Sequence, residues 1–324
     1  MGNDKKIRIG MIGCGGIAMT HLRSLQLIDN VEVVALATRN QSRIKDARMI
    51  VPNAKAYDTG EAMIAAEEVD VAFISVTPSR HGDLERLCAE KGIHMYIEKP
   101  LEVDYVRAAQ IDKAITDSGV LCSVGYQERY FPAFDKALAF LKHKNIRMVE
   151  GRWMGHMVGA AWWREKAQSG GQIIEQSTHI YDLIRYLAGE GKVTAAVATK
   201  APAPGALQND VEGASVALLQ MDNGAIGQVT TACFMDSSIP AEIITRIWCD
   251  DGRVEYDWTE KKLTLIEAGH CEVYKEPAGQ HTLAVHKFIE AVQYGDKSKI
   301  LCDYSDALKS FKLTIDAQNF IEGR

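Results

Sequence analysis

Apolar residues along this chain follow two rhythms, and the change between them divides it. Up to about residue 123, short apolar runs alternate with stretches that are apolar on one helical face. The runs at 6–12, 31–38, 70–77, 93–98 and 120–125 read as strands. Amphipathic helices fill the gaps; the first carries Ala18, Leu22, Leu25 and Ile28 on one face, and Gly92 and Gly119 stop two others. Such alternation predicts a parallel, doubly wound sheet. After Gly125 the rhythm changes. The pattern predicts a helix over 132–144, a strand over 146–154, a Gly- and Trp-rich loop and one helix from about 173 to 187. Alternating strands follow at 193–199, 214–221, 225–234, 243–249, 253–258 and 262–267, separated by turns such as Asp222-Asn223-Gly224. Two helices, over 282–294 and 304–320, close the chain. The expected class is α/β: a doubly wound domain over 1–123 and an α+β domain with a mostly antiparallel sheet over 124–324.

Composition narrows the function classes. At 324 residues the chain exceeds a typical single core, which fits two domains. The formal charge of −6 and pI near 5.9 leave no Lys/Arg excess to replace phosphate counterions, which argues against nucleic-acid or anionic-membrane partners. Seven cysteines lie scattered without a Cys-x-x-Cys pair and read as buried, reduced thiols of a cytoplasmic protein. The polar start Met1-Gly2-Asn3-Asp4-Lys5-Lys6 reads as no secretory signal, and no apolar run is long enough to span a bilayer. No His/Cys/Asp/Glu cluster has metal-ligand spacing, so no metal is expected.

The most informative stretch is Ile7–Leu22. An apolar strand runs into Gly13-Cys14-Gly15-Gly16-Ile17-Ala18, which opens the first helix. Strand, glycine turn and helix together form the dinucleotide-binding fingerprint. Gly13 permits the tight turn, Gly15 lets backbone approach a pyrophosphate, and Ala18 lets helix and strand pack closely. The unpaired N–H groups at the helix start then face the phosphates. Gly13, Gly15, Gly16 and Ile17 are the expected contacts.

Ligands of an open α/β sheet bind beyond the carboxyl ends of its strands. Three segments sit there: Thr77-Pro78-Ser79-Arg80-His81, Glu98-Lys99-Pro100 and Tyr126-Gln127. Lys99, just before a proline, has extended backbone and restricted reach. Beside a nicotinamide its amine could hold a reacting alcohol oxygen and favour an alkoxide-like transition state; a solvated edge lysine fits the local sequence equally well. A second constellation runs from Gly170 to Tyr186. On a continuous helix, Glu175, His179 and Asp182 share one face, where carboxylates could orient an imidazole suited to proton exchange. A packed interfacial histidine is the alternative. Trp163 and Arg164 precede it: an indole can stack on a sugar face, and a guanidinium can fork to an anion. Trp162 shares that loop, and His156 and His281 are weaker candidates for the same pocket.

In order and spacing these motifs resemble the Gfo/Idh/MocA oxidoreductase family, the glucose–fructose oxidoreductase and inositol dehydrogenase relatives. The resemblance covers nearly the whole chain: Gly13 to Ala18, Thr77 to His81, Glu98-Lys99-Pro100-Leu101, Val124 to Tyr130, and Gly170-Gly171 with His179 and Asp182. It implies a Rossmann domain, an open-faced sheet domain that often forms a homo-oligomer interface (dimer or tetramer), and hydride exchange between NAD or NADP and a sugar or polyol carbinol. Lys99, His179 and Glu175 would be catalytic. Thr77, Pro78, His81, Glu98, Lys99 and Gln127, where many members carry Asn, would line the cofactor. Lys99, Tyr126, Trp163, Arg164, Glu175, His179 and Asp182 would meet substrate. One position departs from the pattern: four residues before the histidine the family usually has Asp, and this chain has the longer Glu175.

At the end of the second strand, Thr38-Arg39-Asn40 lacks the carboxylate that would bind a ribose 2′-hydroxyl and repel a 2′-phosphate. Thr38 and Arg39 could instead bind that phosphate, which favours NADP over NAD. The leading expectation is an NAD(P)-dependent dehydrogenase or reductase. A redox-neutral glycosidase or lyase acting through transient sugar oxidation, and a non-catalytic nucleotide-sensing regulator, are the alternatives.

Overall fold

The computed structural model describes residues 6–200 and 209–324. The chain forms two compact units: one holds the chain up to Tyr130 together with Gly279–Leu308, the other Phe131–Ala278 with Lys309–Arg324.

The first unit is a six-stranded parallel sheet of order β3-β2-β1-β4-β5-β6, built from β1 (Ile7–Ile12), β2 (Val31–Ala37), β3 (Lys55–Tyr57), β4 (Val71–Ile74), β5 (His94–Ile97) and β6 (Cys122–Val124). Every residue of β4 is buried, as expected of strands covered by helices on both faces. The helices are α1 (Gly16–Leu25), α2 (Gln41–Arg48), α3 (Gly60–Ala66), α4 (Asp83–Glu90) and α5 (Tyr105–Ser118). Asn40, Thr59 and Asp104 cap α2, α3 and α5 through their side-chain oxygens, satisfying helix-start N–H groups.

The expected boundary at 123 is corrected twice. Strand β6 ends at Val124 and the following turn Gln127–Tyr130 stays in the first unit. The helix Gln280–Tyr294 also returns to that unit. There Ala284, Val285, Phe288 and Ile289 join the cluster of Ile9, Leu22, Phe73 and Tyr96, and Phe288 meets Tyr96 edge-on with ring centroids 5.7 Å apart. An amphipathic pattern shows that a helix has a buried face, not which core receives it.

The second unit carries an eight-stranded sheet of order β14-β13-β12-β11-β7-β10-β9-β8. Its strands are β7 (Ile146–Met154), β8 (Gly191–Lys200), β9 (Glu212–Met221), β10 (Ile226–Ala232), β11 (Glu242–Cys249), β12 (Gly252–Asp257), β13 (Lys262–Glu267) and β14 (His270–Lys275). All neighbours are antiparallel except β10 with β7. One face packs on α6 (Phe134–Leu141), and a short helix α7 (Lys166–Ser169) precedes α8 (Gln172–Glu175) and α9 (Thr178–Ala188). The core joins Phe134, Ile180 and Ile184 to Val149, Val229, Val254 and Tyr256. Helix α9 crosses β7 at Gly151, where an added Cβ would come within 2.2 Å of Ile180 Cγ2. The last helix, Tyr304–Glu322, contributes Leu313 and Ala317 to this core.

Five cysteines are buried as expected, but Cys249 is half-buried and Cys271 exposed. Among the described residues no helix is long and apolar enough to cross a membrane.

Candidate active site

In the first unit, five expected segments leave one edge of the sheet. Parallel pairing sets Ile12 level with Ala37 and Ile74, Ile74 level with Ile97, and Ile97 level with Val124. The glycine turn, Thr38-Arg39, Thr77-Pro78, Glu98-Lys99 and Tyr126-Gln127 therefore follow the carboxyl ends of adjacent strands, the edge where such sheets bind ligands.

At the glycine turn Gly13 has φ +86°, and a Cβ there would lie 2.1 Å from the Ser75 carbonyl oxygen of the neighbouring strand's end. Only glycine fits. Gly15 precedes α1 with no side-chain cap, and a Cβ on Gly15 or Gly16 would meet nothing within 4 Å. Ile17 is half-buried in the first turn. Open backbone at a helix N-terminus is the cradle a pyrophosphate requires, so these residues fit a dinucleotide. At the adenosine end, Thr38 Oγ1 accepts from the Asn40 N–H at 3.3 Å, Asn40 caps α2, and Arg39 is exposed.

Other expected cofactor contacts have different environments. Thr77 and Pro78 open a 3-10 turn over Pro78–Arg80. His81 is enclosed: its Nδ1 lies 2.5 Å from Glu85 Oε1, while Glu85 Oε2 accepts from the Gly82 N–H at 2.6 Å. Burial pushes the His81 imidazole down, but the Glu85 carboxylate outweighs that and holds it above its ordinary value. Its ring belongs to the scaffold, a correction to the expectation of direct contact. Tyr126 is likewise buried, with the Arg129 guanidinium 6.0 Å from its ring centroid; Arg129 in turn pairs with Asp306 at 2.5 Å. Its expected contact with substrate is replaced by packing. Gln127 begins the buried turn that follows.

Lys99 is half-buried and joined to Pro100 by a cis peptide bond. The preceding Glu98 is held by a residue that the motifs did not single out, His21 of α1, whose Nε2 lies 2.7 Å from Glu98 Oε1. Burial pushes the Glu98 carboxyl up, and the His21 hydrogen bond and charge, with Lys99 and His281, more than reverse it. His281 thus belongs to the first unit, in the helix Gln280–Tyr294, and His156 to the second, where its backbone bridges to Phe234.

In the second unit the expected continuous helix over 173–187 is broken. The Ser177 N–H bonds to the Gln172 carbonyl, one residue beyond the α-helical partner, and α9 starts anew at Thr178. Glu175 Oε2 accepts from Trp163 Nε1 at 2.6 Å. Trp163 is fully buried with Val211 and Cys233. Its indole has no face to offer a sugar, so the stacking role is corrected to one of holding Glu175. Asp182 is buried and accepts from Ser310 Oγ at 2.7 Å; that hydroxyl also receives Arg185 Nε at 3.0 Å. Arg164 is half-buried, its Nε without a partner among the described residues.

His179 packs against two tryptophans that sequence reasoning passed over. Trp153 is nearly parallel to its ring (14°, centroids 5.9 Å apart), and Trp258 meets it edge-on at 5.0 Å. A signal existed. Trp153 shares the inward parity of Val149 and Gly151 on β7, and Trp258 that of Val254 and Tyr256.

A doubly wound sheet with a glycine turn opening its first helix, carried with a separate sheet-and-helix unit, defines a two-domain dinucleotide-binding protein. The chain belongs to the Gfo/Idh/MocA oxidoreductase family: residues 7–126 match its NAD-binding Rossmann-fold model and 144–255 its C-terminal domain model. The resemblance expected from the motifs is borne out. Myo-inositol 2-dehydrogenase of Thermotoga maritima is 26% identical over 192 residues, which span 57% of this chain and 55% of that enzyme. Among solved structures, a levoglucosan dehydrogenase in complex with NADH and L-sorbose superposes with a TM-score of 0.87 at 16% identity, over 98% of this chain and 97% of that one. A 3-ketoreductase from Actinomadura kijaniata with NADP and TDP-benzene does so at 0.84 and 19%, over 98% of each.

Proposed function

We propose that this protein is an NAD(P)-dependent dehydrogenase or reductase acting on a CH–OH or ketone carbon of a sugar, sugar derivative or cyclic polyol. The observation that carries the reading is the open backbone at Gly15 and Gly16, at the start of α1, beside a turn that only Gly13 can make. The relatives support the substrate class: one is named for myo-inositol, and one structure was determined with L-sorbose.

Gly13, Gly15, Gly16 and Ile17 would hold the dinucleotide phosphates, and Thr38 and Arg39 the adenosine ribose, with NADP favoured over NAD. Thr77, Pro78, Glu98 and Gln127 would border its nicotinamide end. The cofactor supplies the hydride exchange. Lys99 donates to the reacting oxygen, where an ammonium stabilises developing negative charge. His179 takes or returns the hydroxyl proton, and Glu175, fixed by Trp163, contributes the second carboxylate-bearing position of that segment. Arg164 and Asp182 serve substrate.

Assembly is part of the proposal. Met148, Ile226, Leu218 and Val197 are exposed on β7, β10, β9 and β8, strands whose alternate residues fill the core. Burying that outer face between copies gives a cytoplasmic dimer or tetramer. Light scattering checks it: a monomer at all concentrations would remove the interface.

The test of function is a screen of inositols, aldoses and ketoses with NAD and NADP, followed at the NAD(P)H absorbance. Stoichiometric NAD(P)H and oxidised product support the reading. Product without accumulated NAD(P)H would replace it with transient oxidation, and no turnover with any member would overturn it. In the active pair, His179→Ala should lower kcat by roughly 10²–10⁴-fold, the usual contribution of general acid–base catalysis.

A further inference from the structure

Three elements of the second unit meet around His179. The nearly parallel indole of Trp153 comes from β7, the edge-on indole of Trp258 from the turn after β12, and the imidazole from the first turn of α9. The two indoles also touch each other, with centroids 5.5 Å apart and planes at 66°. Two local features hold this arrangement. Gly155 leaves room for Trp153, since a Cβ there would press on its Nε1 at 3.3 Å. Lys261, in the turn that follows Trp258, places its ammonium 4.6 Å from the Trp258 ring centroid. Lys261 is also the one non-glycine among the described residues with positive φ, at +47°. A conformation that disfavours an L-residue persists where the surroundings require it, and such positions cluster at functional sites.

We propose that Trp153 and Trp258, packed on each other, form one rigid wall of a box that sets the orientation of the His179 ring, with Lys261 fixing Trp258. All three are positioning residues, acting through His179. The inference rests on the reading of His179 as the proton-transfer group. Indoles are well suited to such a box, because they have few rotamers, large flat faces and no charge of their own. A ring packed on both indoles keeps its reactive nitrogen in one direction, as a positioned proton transfer requires.

Three measurements on the full chain test this. The coupled indole pair should give an exciton couplet in the ultraviolet circular dichroism, lost in Trp153→Phe and in Trp258→Phe and reduced in Lys261→Ser. Carbethoxylation of His179, followed by peptide mass spectrometry, should be several-fold faster in Trp258→Leu than in the native chain, and return to the native rate in Trp258→Phe. With the substrate from the screen, Trp258→Leu should lower kcat several-fold at unchanged cofactor KM, and Trp258→Phe should restore most of it. Thermal unfolding identifies any variant that has simply lost its fold, and for that variant Trp258→Phe and Trp153→Phe carry the test. Native carbethoxylation and kcat in Trp258→Leu, with a folded chain, would overturn the box. A His179→Gln enzyme with native kcat would instead overturn the reading of His179, leaving the indoles as packing.

Discussion

The Nε2 atom of His21 lies 2.7 Å from Oε1 of Glu98, and both side chains are buried. The pair ties the helix that follows the glycine turn to the residue before Lys99. His21 also packs edge-on against Tyr96, with centroids 5.1 Å apart, so its ring is confined between the sheet and the carboxylate. A dinucleotide cradle and the lysine proposed to hold the reacting oxygen need fixed relative geometry, and this contact lies within one unit.

Removing one partner of a buried pair strands the other, so His21→Leu should cost about 3–5 kcal/mol at neutral pH. The folded state holds the Glu98 carboxyl below its ordinary value. Stability from a depressed carboxyl is present above the unfolded value and lost as pH falls through the folded one. The gap between native and His21→Leu should therefore shrink on acidification below the usual carboxylate range. Urea unfolding at neutral and acidic pH measures it, and an equal gap at both would show that His21 does not stabilise ionised Glu98.

The glycine turn separates a folding requirement from a binding one. Gly13→Ala forces a Cβ into the Ser75 carbonyl at positive φ, costing at least the 1–2 kcal/mol of a left-handed L-residue. Gly15 has φ −77°, ordinary for any residue, and open space above it. Gly15→Ala should unfold like the native chain while binding NADH or NADPH about tenfold or more weakly, as expected when backbone cannot close on a pyrophosphate. Fluorescence titration and thermal unfolding separate the two effects; native affinity in Gly15→Ala would remove this residue from the cradle.

Cofactor choice should respond to one residue. Thr38 ends the second strand with Arg39 exposed beside it, and Thr38→Asp adds a carboxylate where a 2′-phosphate would lie. The ratio of dissociation constants for NADPH and NADH should move towards NADH. A ratio that does not move would mean that residue 38 does not face the ribose.

Trp163 distinguishes packing from substrate recognition. Its indole N–H donates to Glu175 from a fully buried ring. Trp163→Phe removes that donor and should cost about 1.5–3 kcal/mol, the range for hydrogen bonds to charged groups, and lower kcat through Glu175. Sugar stacking predicts the reverse pattern, a raised substrate KM with stability intact.

Much of this architecture was legible because its signals are local. The apolar runs of β1, β2 and β4 and the turn at Gly13 depend on residues within one element. Two strands left no such signal. Lys55–Tyr57 is three residues long without a buried member, and His270–Lys275 is an exposed edge strand, so neither has an apolar face to reveal it.

The sequence by itself determined the α/β class, the parallel first sheet, the dinucleotide turn and the family, since periodicity and glycine chemistry are properties of neighbouring residues. Tertiary structure decided the rest. His21 and Glu98 stand 77 positions apart, and only the β1-β4-β5 order brings them together. Trp153 and Trp258 meet His179 because β7, the turn after β12 and α9 come together. The helix Gln280–Tyr294 joined the first unit, not the second, because Phe288 found Phe73 and Tyr96. In each case the energy lies in a contact between distant segments, and no window of sequence contains both sides of it.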